Sequence, residues 1–365
     1  MELNQWIYIL LSLLLFVFLY TRHYKSGVPQ TPKYHHELGG IKPQPKAWTW
    51  DHQEPVPYRP WHNGPYHVTM GLKNANITNW IEVDNTYLPK YRLKKRLFAD
   101  SDFRPEVLQV LPGCDEEAFE ALELLKDVLL RQYPSMFQLV DSHRLENKVT
   151  GDVWDLRREA ETWKSFHPLE VMSLLATEDF FLLKTDEEGV TTLRAGAVCF
   201  PAGWKISQRI GHSLWQIHAG KVPQYESKLA KSMDRFFVKL PVGGSISRFN
   251  YAIDDSNELF HIHSHHNLTL DPRGSPLTLA DLHLRVERQF LQRLPRTRGL
   301  LFSIRTYITP ISEVTRDLEL ARALRTSVGS YTPDVAKYKN KPLWNDLLQQ
   351  HLNEVLGEEE EGHSS

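Results

Sequence analysis

Two neighbouring runs near the C-terminal end constrain the fold more than anything else in the chain. Residues 282–291 alternate with a period of two, Leu282, Leu284 and Val286 on one side and His283, Arg285, Glu287 and Gln289 on the other. Residues 300–308 alternate likewise, and the short link 294–299 between the runs predicts an antiparallel hairpin. A sheet of such strands needs helices to cover it. Residues 115–132 (DEEAFEALELLKDVLLRQ) follow Pro112-Gly113, start acidic and repeat apolar residues at helical spacing, which predicts an amphipathic helix. Further helices are expected at 169–176, 225–240, 313–327 and 343–356, and further strands at 179–185, 190–200 and 245–252. The fold class is therefore α+β with mostly antiparallel strands.

The formal net charge of −2 leaves no nucleic-acid footprint at the level of the whole chain. Two cysteines, Cys114 and Cys199, exclude a disulfide scaffold, an all-cysteine iron–sulfur cluster and a four-thiolate zinc site. No dinucleotide fingerprint, P-loop, H-E-x-x-H or G-x-S-x-G motif is present.

The N-terminal region has a different character. Residues 6–20 (WIYILLSLLLFVFLY) are apolar with a single serine, and Arg22, His23 and Lys25 follow at once. The run is shorter than the about 20 residues of a comfortable span. It is too apolar all round for a surface helix, and no cleavage site follows it. We read a single-pass anchor over residues 1–25, with a membrane-dipping segment as the alternative. The trailing positive charges put the bulk of the protein on the cytosolic side, and the short span suits the thin endoplasmic reticulum bilayer. Residues 26–65 are proline-rich and predict an extended tether whose Trp48, Trp50 and Trp61 pack on the body of the protein. The main domain is expected over 66–340, followed by a C-terminal helix and an acidic disordered tail over 341–365.

Candidate chemistry concentrates in residues 199–225 (CFPAGWKISQRIGHSLWQIHAGKVPQY). His218 stands among Leu214, Trp215 and Ile217, with Lys205 and Arg209 just upstream and His212 as a rival ligand. A haem needs this inventory: one neutral imidazole for iron, an apolar slot, and cations for its propionates. A hydrogen-bonded structural histidine is the commoner reading of the same residues. Cys199 offers a thiolate alternative, against which stands an inert buried cysteine. His261, His263, His265 and His266 offer a non-haem metal site or, more commonly, a solvent-facing loop.

The blocks CFPAGW, G-x-x-L-x-x-I-H-x-x-x-V-P-x-Y, KSMDRFF and LHLRVERQFLQRLPRTRGLLFSIRTYITP occur in that order, with MGLKNANITNWIEVDNTYLPKYRLKKRL before them. Together they resemble the haem-dependent oxidative N-demethylase alpha-subunit family. The resemblance implies a PAS-like haem-binding sheet and His218 as the ligand to the haem iron. It implies dioxygen and a small amine as substrates, formaldehyde as co-product, and NADPH as ultimate reductant. This chain shows no flavin or nicotinamide site of its own, so flavin and NADPH would act through a separate electron-donating reductase. Gly220-Lys221 replace a proline expected just after the histidine. Arg248 and Asn250 match an Arg-x-Asn-aromatic block, with Tyr251 where a tryptophan is expected, and lie on one strand face. From the hairpin we expect His283, Arg285, Glu287, Arg305 and Tyr307 on one sheet surface, with donors for reduced dioxygen and a carboxylate for the amine. A solvated sheet face is the plain alternative. Arg248, Glu287 and Arg285 are the catalytic candidates; His218, Lys205, Arg209 and Asn250 are the cofactor candidates. Two other roles stay open, a haem-based gas or redox sensor without turnover and a membrane-anchored interaction protein that has lost haem.

Overall fold

The computed structural model describes residues 38–262 and 276–357. The apolar run 6–20, the start of the tether, His263, His265, His266 and the acidic tail lie outside the described residues. Among the described residues no helix is long and apolar enough to cross a membrane.

In chain order the first elements are β1 (Lys73–Ala75), α1 (Tyr87–Ala99), α2 (Arg104–Val107), β2 (Leu108–Val110), α3 (Asp115–Gln132), β3 (Phe137–Leu139), β4 (Arg144–Asn147), β5 (Val153–Asp155) and α4 (Pro168–Leu175). Then follow β6 (Asp179–Thr185), β7 (Thr191–Ala197), α5 (Leu214–His218), α6 (Ala230–Lys239), β8 (Ser245–Asp254), β9 (His283–Arg293) and β10 (Leu300–Pro310). The last helices are α7 (Ile311–Val314), α8 (Leu318–Gly329), α9 (Pro333–Tyr338) and α10 (Lys341–Leu356). The fold is α+β. A seven-stranded sheet runs β1-β8-β9-β10-β6-β7-β2 with every pair antiparallel, and β3-β4-β5 form a small second sheet.

Both faces of the large sheet are covered. Phe180, Leu182, Phe290 and Leu301 point toward α3, α4 and Trp80. Tyr251, Val286 and Tyr307 extend the same face under α8 and α10. Phe181, Leu183, Leu291 and Leu300 point the other way and pack on the segment that carries Ile206, Leu214, Tyr225 and Met233. Gly196 lets that segment close down on β7, because a Cβ there would collide with Ile206. The tether packs through its tryptophans: Trp48 against Tyr133, Trp50 against Tyr87 and Trp61 against Tyr251. The helix expected over 313–327 is split into α7 and α8, because Asp317 caps α8 by accepting from Glu319 N at 2.9 Å and Leu320 N at 3.1 Å.

The register corrects one expectation. Asn250, Glu287 and Thr306 lie directly opposite one another on β8, β9 and β10, so they share a face. Arg305 is opposite Arg288 and Tyr307 opposite Val286, so both project from the other face. His283, Arg285 and Glu287 share a surface; Arg305 and Tyr307 do not join them. A side-chain period of two fixes which residues of one strand belong together, and only the pairing between strands says which sets meet.

Candidate functional site

His218 closes α5, a short helix with a complete capping box. Ser213 N donates to Gln216 Oε1 at 2.8 Å, and Gln216 N donates to Ser213 Oγ at 3.3 Å. Gly220, at φ +71°, turns the chain away beyond it. Lys221 N and Val222 N both donate back to His218 O, at 3.1 and 2.9 Å, so the segment after His218 is tied to the helix end.

The imidazole is oriented on two sides. Nδ1 lies 2.7 Å from Leu214 O. A carbonyl can only accept, so Nδ1 carries the proton and Nε2 keeps its lone pair. The ring stacks on Tyr225 with centroids 5.0 Å apart and planes 19° apart. Among the described residues no hydrogen bond reaches Nε2. Burial pulls the imidazole below its ordinary range, opposed by the Leu214 bond and assisted by Arg209, Arg248 and Lys221. A neutral imidazole with one nitrogen tied to a backbone carbonyl and the other open is the arrangement of a metal-ligating histidine. His212 lacks it: its buried Nδ1 has no partner.

Arg209 and Arg248 connect His218 to the sheet. Arg209 lies over the Trp204 ring at 4.1 Å. Burial lowers both guanidiniums from their ordinary value, and Glu287 opposes this for both. The same two cations add to the depression of His218. Arg248 Nε is buried without a partner, an orphan donor of the kind a carboxylate satisfies.

Glu287 is held by its neighbours on the sheet. Its Oε2 accepts from Gln289 Nε2 at 2.9 Å and Asn250 Nδ2 at 3.3 Å. Among the described residues no hydrogen bond reaches Oε1. Thr306, opposite Glu287 on β10, is fully buried, and its hydroxyl also has no partner.

Three other candidates take different positions. Arg285 is buried and donates to the carbonyls of Phe200 (2.9 Å), Pro201 (3.1 Å), Glu258 (3.1 Å) and Leu259 (3.2 Å), bracing two loops over the sheet. Lys205 is paired with Glu106 of α2 at 3.1 Å. Cys199 is fully buried, and burial pushes its thiol far up, with Asp179 adding to the shift. His261 is bridged through its backbone to Ala202. Among the described residues no group of three or more histidine, cysteine or acidic side chains is placed to hold a metal ion.

Sequence reasoning assigned no role to Gln289, Tyr225, Trp204 or Lys339. Gln289 had a signal, since it lies two residues beyond Glu287 on the same strand face, and Tyr225 stands in the V-P-x-Y motif. Lys339 had none. It reaches the exposed edge of β8, where Nζ donates to Tyr251 O and lies 4.9 Å from the Tyr251 ring centroid.

The residues fit a haem. A haem, if bound, would find an imidazole with an open Nε2 in His218 and cations for its propionates in Arg209 and the orphaned Arg248 Nε. Phe302, Ile304, Ile217 and Val222 line the apolar surroundings of the same cluster. Residues 71–349 match the family described as haem-dependent oxidative N-demethylase, alpha subunit-like, and the chain belongs to that family.

Proposed function

We propose that this protein removes an N-methyl group from a small secondary or tertiary amine, using dioxygen and electrons from a separate reductase. The observation that carries the reading is His218, with Nδ1 fixed on Leu214 O and Nε2 open. Haem, when bound, supplies dioxygen activation and oxidation of the methyl carbon, which leaves as formaldehyde. Glu287 binds the amine: its open Oε1 accepts the ammonium N–H and takes up the proton before oxidation. Asn250 and Gln289 keep Oε2 engaged and so hold the carboxylate at one angle. Arg209 and Arg248 hold the propionates. NADPH and flavin enter through the reductase. The PAS-like description of the sheet belongs to this reading.

The apolar run 6–20 and the basic residues after it support anchoring to a membrane, with the catalytic body cytosolic on the endoplasmic reticulum. Such an anchor would keep the body close to a membrane-bound reductase. Protease protection and alkaline extraction of membranes test this part separately.

The test of activity is the hemin-loaded full chain with a reductase and a panel of methylated amines. Formaldehyde from at least one amine is expected, and formaldehyde from none would overturn the reading.

A further inference from the structure

The sequence carries no recognisable flavin or nicotinamide motif, so electrons for a bound haem would arrive across the protein surface. Aromatic rings mark one route. His218 stacks on Tyr225 at 5.0 Å, and Tyr225 lies 5.9 Å from Trp215. Trp215 is 49 % exposed, an unusual setting for the largest side chain. Three rings in contact therefore run from solvent to the candidate iron ligand. The Tyr225 hydroxyl is buried without a partner, and burial raises the phenol to about 12. No acceptor stands ready for its proton, so its contribution is ring contact.

The surface around the entry has a distinct charge. Tyr225 opens the π-helical turn Tyr225–Leu229, which leads directly into α6. Lys221, Lys228, Lys231, Arg235 and Lys239 are exposed along this stretch, against only Glu226 and Asp234 among its exposed acids. Among the described residues none of the five cations is in an ion pair, whereas the whole chain carries a formal charge of −2. Unpaired cations along a stretch that leads on from Tyr225, the ring in contact with exposed Trp215, favour a partner with the opposite field.

We propose that the face formed by Trp215 and the outer side of α6 docks an acidic one-electron carrier, and that Trp215 and Tyr225 pass its electron toward His218. In the step, one electron leaves the reduced carrier and enters ferric haem, which becomes ferrous; no bond forms or breaks and no proton moves. The inference rests on the haem reading above.

The probe is a reduced plant-type ferredoxin, an acidic iron–sulfur carrier, mixed in a stopped-flow instrument with the hemin-loaded full chain. Reduction should slow as salt rises. Lys228→Glu/Lys231→Glu/Arg235→Glu should slow it about tenfold at low salt and flatten the salt dependence, with haem content and Soret position unchanged. Trp215→Ala should slow reduction and Trp215→Phe should restore most of the rate, a difference that loss of surface area alone would not produce. Equal rates for the triple variant and the unaltered protein would overturn the proposal. So would binding of this face to phosphatidylserine vesicles but not to ferredoxin. If the chain takes up no hemin, the haem reading fails by itself. Calorimetry of ferredoxin with the unloaded chain then still decides the docking face, and absence of salt-sensitive binding overturns it.

Discussion

The two faces of the central sheet both bury charge, and they treat it in opposite ways. On the face toward α1 and α4 the charges are closed on one another. Arg305 meets Asp84 at 2.5 Å and Glu178 at 3.7 Å, and Arg288 meets Glu82 at 3.2 Å. Glu82 also accepts from Tyr307 and, at 2.5 Å, from Tyr58. Lys90 Nζ donates to Thr306 O at 2.9 Å, and Lys94 Nζ to the carbonyls of Ala176 at 3.1 Å and Glu178 at 2.5 Å. On the face toward α5, Glu287 Oε1 and His218 Nε2 take part in no hydrogen bond among the described residues, and Arg248 Nε and the Thr306 hydroxyl are buried without a partner. Leaving such groups unsatisfied costs stability unless a ligand completes them. The scaffold side is saturated in its ion pairs, although Arg305 Nε and both polar atoms of Gln292 are buried there without partners; the opposite side holds Glu287, Arg209 and Arg248, none of them in an ion pair among the described residues.

The comparison is broken most forcefully from the saturated side. Arg305→Leu leaves Asp84 and Glu178 buried without their cation and should cost about 3–5 kcal/mol, read as a fall in the urea midpoint. A loss below about 1 kcal/mol would mean the network is not the scaffold. Glu287→Gln should do the reverse. Its unfolding free energy should stay within about 1 kcal/mol of the parent, while formaldehyde production falls about 10²–10⁴-fold. An unstable Glu287→Gln variant would erase the distinction between the faces. Removing the amides that position Glu287, in Asn250→Ala/Gln289→Ala, should weaken amine binding by about 1.5–3 kcal/mol, the worth of hydrogen bonds to a charged group.

The smallest effect separates two imidazoles. His167 caps α4 on the saturated side, accepting from Leu169 N at 3.2 Å through Nδ1, and burial lowers it to about 4. Its folded value lies below the ordinary imidazole value of about 6.5, so the unfolded chain binds the extra proton first. The stability contributed by this neutral ring is complete above about 6.5 and is lost as pH falls from there toward 4. His167→Asn keeps a capping oxygen that does not titrate. On acidification the parent should lose stability relative to this variant, measured by melting temperature against pH. His218 shifts in the same direction, so acid should also release haem, with release beginning below the ordinary imidazole range.

Much of the scaffold was legible because its signals are local. The β9–β10 hairpin followed from alternation and a short link, and α3 from its acidic start and apolar spacing. What stayed hidden depended on partners distant in sequence. No periodicity announces α1, because Lys90 and Lys94 stand on its buried side and reach backbone carbonyls, Lys90 on β10 and Lys94 in the link between α4 and β6. Arg305 and Tyr307 read as companions of Glu287 until the pairing of β9 with β10 placed them on the reverse face. Arg285 was read for chemistry, and only the folded loops show the carbonyls it braces. His218 stood out from its setting and motif only as a ligand candidate, and the bond that ties its Nδ1 to Leu214 O required the capped turn of α5.

The most direct measurement is a hemin titration of the full chain beside His218→Ala, followed in the Soret region. A one-to-one complex is expected for the parent, and loss of that band in the variant with its unfolding midpoint unchanged. Equal hemin uptake by both proteins, or none by a well-folded parent, would contradict the account.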